Sequence, residues 1–159
     1  MKNPITQLEL KFGLTTCAFL ILFFFVMKYL GFIQIVELRC LNFFILFAGV
    51  NMAYRSYRKQ TELNVEYFEG FFFGFFTTLF AIVPFGLFVF LYFREVDPDL
   101  INSLKSNSLF MGVEITAEKA AVTTIIEGTV SGVLISYILL QYYRSGFRNQ
   151  TKENFNPEI

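Results

Sequence analysis

The longest apolar segment of the chain is the feature that most limits its fold. Residues 67–93 form a Phe-rich run with Glu69 near its start and Pro84 inside it. A helix of about 20 apolar residues crosses the hydrocarbon core of a bilayer, which is about 30 Å thick. The run therefore predicts a transmembrane helix. The hydrophobic content of 55% and the charged content of 16% agree with a bilayer as the solvent.

Three further segments are predicted to cross the membrane, which makes the chain an all-α, polytopic membrane protein. The four spans cover residues 12–33, 36–54, 67–93 and 117–143 of a single domain, residues 1–144. The second span is the weakest, because Glu37 and Arg39 lie at its start and Asn42 and Asn51 lie inside it. The connection between the first two spans is short and favours a hairpin, so we expect an antiparallel four-helix bundle.

The polar segments outside the spans carry their own signals. Residues 94–116 are predicted to form an extracytoplasmic loop with a short amphipathic helix, since Asp97, Pro98 and Asp99 suit the N-cap and first turn. Thr116 is the expected N-cap of the fourth span. The segment 145–159 is rich in Asn, Lys and Glu, and we expect a mobile cytoplasmic tail there.

Basic residues predict the orientation of the spans. Eight lysines and arginines fall on the side of both termini and five on the other side. Arg55, Arg58 and Lys59 form a compact cluster directly after the second span. Because basic loops stay in the cytoplasm, both termini are predicted to be cytoplasmic. Tyrosines near the span ends, among them Tyr54, Tyr57 and Tyr92, are expected to form an aromatic belt at the interface.

Glycine repeats on the third and fourth spans predict close helix packing. Gly70 and Gly74 follow Glu69, while Gly128 and Gly132 follow Glu127, so both spans contain Glu-Gly-x-x-x-Gly. Helices in lipid have no hydrophobic drive to associate, and small residues let their backbones approach. We therefore expect these two helices to pack against each other or against a partner.

Glu127 is the ionisable residue most deeply placed in a predicted span. It lies roughly 10 Å from the outer boundary, where an unpaired carboxylate costs at least about 2.5 kcal/mol. Helical spacing and depth bring the other members of a predicted polar cluster to the same region: Lys28, Arg39, Asn42, Thr124 and Ser131. The cluster is interpreted as a structural ion pair or hydrogen bond, as a solute, ion or proton site, or as a lipid headgroup site built from Lys28 and Arg39.

Catalytic and cofactor motifs are missing from the sequence. It has no histidine, and Cys17 and Cys40 stand far apart without CxxC spacing. Thirteen basic and thirteen acidic residues leave no basic excess for nucleic acid. We expect no enzyme, no cofactor, no metal site and no nucleic-acid partner. Two functions stay open: a structural or accessory subunit of a larger membrane assembly, or a small transporter or ion-conducting homo-oligomer using Glu127.

Three short stretches also have a pattern in common with known proteins. They are Tyr54-Arg55-Ser56-Tyr57-Arg58-Lys59, Tyr67-Phe68-Glu69-Gly70 with Gly74-Phe75, and Val96-Asp97-Pro98-Asp99-Leu100. Together they resemble a bacterial domain-of-unknown-function family of small four-helix integral membrane proteins, over residues 10–143. The resemblance implies a multi-pass protein of the bacterial inner membrane and implies no activity.

Overall fold

The computed structural model describes residues 4–31, 40–60, 67–97 and 116–154. The elements within these ranges are all helical. They are α1 (Pro4–Tyr29), α2 (Cys40–Gln60), α3 (Tyr67–Leu91), a π-helical segment (Tyr92–Val96) and α4 (Ala117–Asn154). Among these described helices, three candidate spans are long and apolar enough to cross a membrane: Ile5–Tyr29, Tyr67–Val96 and Ala117–Tyr143. The described part of the chain is thus all-helical, with membrane-span-like helices.

The helix bounds differ from the predicted spans mainly at the first and last helices. α1 begins at Pro4, ahead of residue 12, and ends at Tyr29. Gly31 terminates it, with a φ of 73° that favours glycine and an N–H that donates to the Lys28 carbonyl at 3.1 Å. The expected amphipathic helix after Asp97 lies outside the described residues.

α3 and α4 begin at the predicted residues. Tyr67 opens α3, which continues through Pro84, and Ala117 opens α4. Thr116 is the N-cap of α4, as expected, because its Oγ1 accepts the Lys119 N–H at 3.3 Å. α4 continues to Asn154, so the segment predicted as a tail from residue 145 begins as helix.

α3 lies between α1 and α4. α1 and α3 run parallel to each other. Gly13 lies against Thr77 and Phe80, and further along both helices the Phe24 and Phe88 ring centroids are 5.5 Å apart. α4 runs antiparallel to α3, since Gly128 lies against Ile82 and Gly132 lies against Thr78. α2 packs mainly on α1, where Gly49 lies against Thr16.

The buried core changes character along the bundle. Near the C-terminal end of α3 it is aromatic, with Phe24, Phe85, Phe88, Tyr92 and Phe93 in a connected set of ring contacts. Toward the other end the buried residues include polar ones: Tyr54, Tyr57, Thr77, Thr78 and Ser136. Large apolar side chains are exposed along α1 and α4, as expected of surfaces that face lipid.

Candidate functional site

Lys28 is part of a compact ionic contact between α1 and the end of α3. Its Nζ donates to Asp97 Oδ2 at 2.8 Å and to the Tyr92 hydroxyl, and it lies 4.8 Å from the centroid of the Tyr92 ring. The ion pair is partly buried, with side-chain exposures of 35% and 27%. Charge, hydrogen bonding and the ring face therefore all hold Lys28 at this point.

The π-helical segment explains how Asp97 reaches Lys28. The Asp97 N–H donates to the Tyr92 carbonyl at 3.1 Å, five residues earlier. This wider turn extends the helix of α3 to Val96, and such turns occur frequently at functional sites. Asp97 was expected as a helix N-cap, a prediction that depends on residues outside the described ones, and its carboxylate contacts Lys28.

Glu127 lies on the exposed flank of α4. Its neighbour Gly128 packs against Ile82, so Glu127 is level with the middle of α3. Lys28 is level with Tyr92, about 15 Å further along the same helix axis. Lys28 and Glu127 therefore lie at different levels of the bundle.

The other members of the predicted polar cluster are only partly located. Asn42, Thr124 and Ser131 are half-buried, and the Thr124 hydroxyl donates to the Ala120 carbonyl at 2.9 Å. Arg39 lies outside the described residues. A pairing of Glu127 with Arg39 or Asn42 stays a prediction.

The four glycines singled out from the sequence are all buried. A Cβ atom built on Gly74 would lie 2.6 Å from both the Tyr54 hydroxyl and Ser136 Oγ, and one on Gly128 would lie 2.5 Å from Ile82 Cδ1. A Cβ on Gly132 would collide with the Thr78 side chain. These positions have no room for a side chain, which is the geometry that close helix packing requires.

Tyr54 connects three helices, a role that the sequence did not indicate. Its hydroxyl is buried, lies 2.6 Å from the Gly70 carbonyl of α3 and 3.3 Å from the Ser136 carbonyl of α4, and can donate to either. Tyr54, Tyr57 and Tyr92 are all buried, so assigning them to a lipid-facing belt was wrong. The reason is that a tyrosine near a span end can also turn inward when a polar partner is available there, such as the backbone carbonyls near Tyr54 or the Lys28 ammonium beside Tyr92.

Glu9 is a second residue that the sequence analysis missed. Only 8% of it is exposed, and it lies on the α1 stripe that also buries Gly13, Thr16 and Leu20. The spacing of these residues, at intervals of three and four, was the available signal. It was overlooked because Glu9 precedes the segment taken as the first span.

The described residues contain no group of three or more side chains suited to bind a metal ion.

The family model with the description "Protein of unknown function (DUF4199)" matches residues 11–139. The chain belongs to this family. The match extends from α1 into α4 and so includes both glycine pairs and Glu127. The resemblance to a domain-of-unknown-function family is thereby confirmed. No curated protein and no solved structure matches this DUF4199 chain.

Proposed function

We propose that this DUF4199 protein crosses the bacterial inner membrane four times, with both termini in the cytoplasm, and serves as a non-enzymatic subunit of a larger membrane assembly. α2 would supply the fourth span. Its 21 residues give a length of about 30 Å, enough for the hydrocarbon core. The basic residues Arg55, Arg58 and Lys59 at its end would then lie at the cytoplasmic interface.

The exposure of Glu127 is the observation that carries the subunit role. The residue lies about 15 Å along α4 from Ala117, near the middle of the candidate span Ala117–Tyr143. Its flank is largely apolar, with Ile126, Val130 and Leu134 exposed beside it and Thr123 as an exposed polar residue one turn earlier. A charged side chain at the centre of a bilayer is costly, by about 2.5 kcal/mol or more on insertion scales, and the described chain leaves the Glu127 side chain exposed on this flank. A partner helix over this flank would lower that cost.

Packing of the interior favours a subunit over a transporter built from one copy. Large side chains fill the centre of the bundle, among them Leu20, Leu46, Tyr57, Phe73 and Ile135. An ion pathway would therefore have to form between copies, with Glu127 lining it. Such a conducting oligomer is the alternative proposal, since it uses the same exposed flank.

Co-purification from native membranes tests the subunit role. The tagged wild-type chain in mild detergent is expected to retain a different membrane protein at fixed stoichiometry. Glu127→Leu should reduce that retention at least about tenfold, because the carboxylate contact is lost. Glu127→Gln should retain it, since an amide still forms hydrogen bonds. The matched control is Thr15→Leu, an exposed polar residue on α1, which should have no effect.

Two results would contradict the subunit role. One is a wild-type chain recovered only as copies of itself. The other is equal retention of the partner by Glu127→Leu and Thr15→Leu. A homo-oligomer whose ion flux in liposomes disappears in Glu127→Gln would support the conducting alternative instead.

A further inference from the structure

Glu9 is a buried carboxylate in the bundle that the subunit role does not use. It faces the interior of the bundle from α1, and its exposed fraction is 8%. Among the side chains that the structure describes, those of residues 5–31, 41–59, 67–97 and 116–143, none forms a hydrogen bond or ion pair with the Glu9 side chain. A group of this kind is expensive to bury in its charged form.

The surroundings of Glu9 follow from the register of the helices. Gly13 lies one helical turn after Glu9 on α1. A Cβ atom built on Gly13 would lie 2.9 Å from the Thr77 carbonyl oxygen. One turn before Thr77 on α3 is Phe73, so Glu9 and Phe73 are at the same level. The Phe73 ring stacks on Tyr57 of α2, with centroids 4.3 Å apart. Glu9 therefore lies level with an aromatic layer of α2 and α3.

The described parts of the helices that face α1 carry several charged and titratable groups, and none of them neutralises Glu9. On α2 they are Tyr54, Arg55, Tyr57, Arg58 and Lys59, and on α3 with its π-helical extension they are Tyr67, Glu69, Tyr92, Arg94 and Glu95, followed by Asp97. Tyr54 is directed to the carbonyls of Gly70 and Ser136, and Asp97 to Lys28 at the far end of α1. On α1 itself Lys11 is exposed. None of these groups forms an ion pair with Glu9 in the described chain.

We propose that Glu9 is a proton-binding site that couples the packing of α1 to pH. With a proton bound, the neutral carboxyl group is compatible with this nearly buried position at the level of Phe73. Release of the proton places a charge in this layer, which favours displacement of the N-terminal part of α1 towards water. Glu9 lies roughly 8 Å along α1 from its first residue, Pro4, so the end of the bundle where α1 begins is the short route for the proton.

Thermal unfolding of the full chain in lipid nanodiscs tests this site. As the pH rises from about 5 to about 9, the wild-type melting temperature is expected to fall by several degrees, because the folded state must release a proton that stabilises it. Glu9→Gln should abolish this fall, since the amide stays neutral at every pH. The matched control is Glu69→Gln, which changes an exposed carboxylate and should keep the wild-type fall.

Infrared spectroscopy provides a second readout that does not depend on the stability of Glu9→Gln. The wild-type chain and Glu69→Gln should show the carbonyl stretch of a protonated carboxyl group, decreasing as the pH rises. Glu9→Asp should shift that band. A melting temperature whose pH dependence is the same in wild type and Glu9→Gln would overturn the proposal, as would a band unaffected by Glu9→Asp.

Discussion

Replacing Gly132 with leucine is expected to destabilise the folded chain by about 3 kcal/mol or more, the upper end for added bulk in a packed interior. Gly132 faces the Thr78 side chain, and even one added carbon would collide with it. To relieve this collision, α3 and α4 would have to move apart, and both helices would lose van der Waals contacts along their interface. Unfolding in mixed micelles measures the change.

The control for Gly132→Leu is Ala48→Leu, which also adds bulk to a small residue on a helix. Ala48 is exposed on α2, and its substitution should change stability little. Phe88→Leu is unsuitable as a lipid-facing control, because the Phe88 ring packs on Phe24 and Phe25 at 5.5 and 5.7 Å. Equal stabilities of Gly132→Leu and Ala48→Leu would show that the glycine contact is incidental.

Phe73→Ala is expected to have the second large effect, about 3 kcal/mol of destabilisation. Phe73 is 1% exposed, stacks on Tyr57 and meets the Tyr54 ring at 5.6 Å. Its removal leaves a cavity between α2 and α3 and also deprives Tyr54, which binds α4 through Ser136, of an aromatic contact.

Phe72→Ala provides the control for Phe73→Ala. Phe72 is 48% exposed, so this substitution removes a similar ring from the surface of the bundle. The same unfolding assay in micelles should find Phe72→Ala close to wild type. Comparable losses from both substitutions would mean that the two rings contribute through hydrophobic content and that the contact with Tyr57 has no special role.

The sequence was sufficient for features that depend on local patterns. The starts of α3 at Tyr67 and α4 at Ala117 follow from an apolar run and from the Thr116 cap. The inward position of Gly128 and Gly132 follows from helical spacing. These features need no knowledge of which helix lies opposite.

The features that could not be predicted depend on pairs of helices. Lys28 meets Asp97 because α1 and α3 run in the same direction and a π-helical segment extends α3 from Leu91 to Val96. Glu127 was expected in a polar cluster with Lys28 and with Thr124 and Ser131 of its own helix. Which flank of α4 is exposed depends on where α3 packs, and a single helix does not determine that.

Cysteine accessibility tests the central claim, that α2 crosses the bilayer as a fourth span, most directly. Single cysteines at Gln34, Thr61, Lys105 and Gln150 are introduced in a chain with Cys17→Ala and Cys40→Ala. An impermeant thiol reagent applied to intact cells should label positions 34 and 105, while positions 61 and 150 should react only after the membrane is opened. Labelling of positions 34 and 61 from the same side would show that α2 does not cross, and labelling of 61 and 150 in intact cells would reverse the orientation.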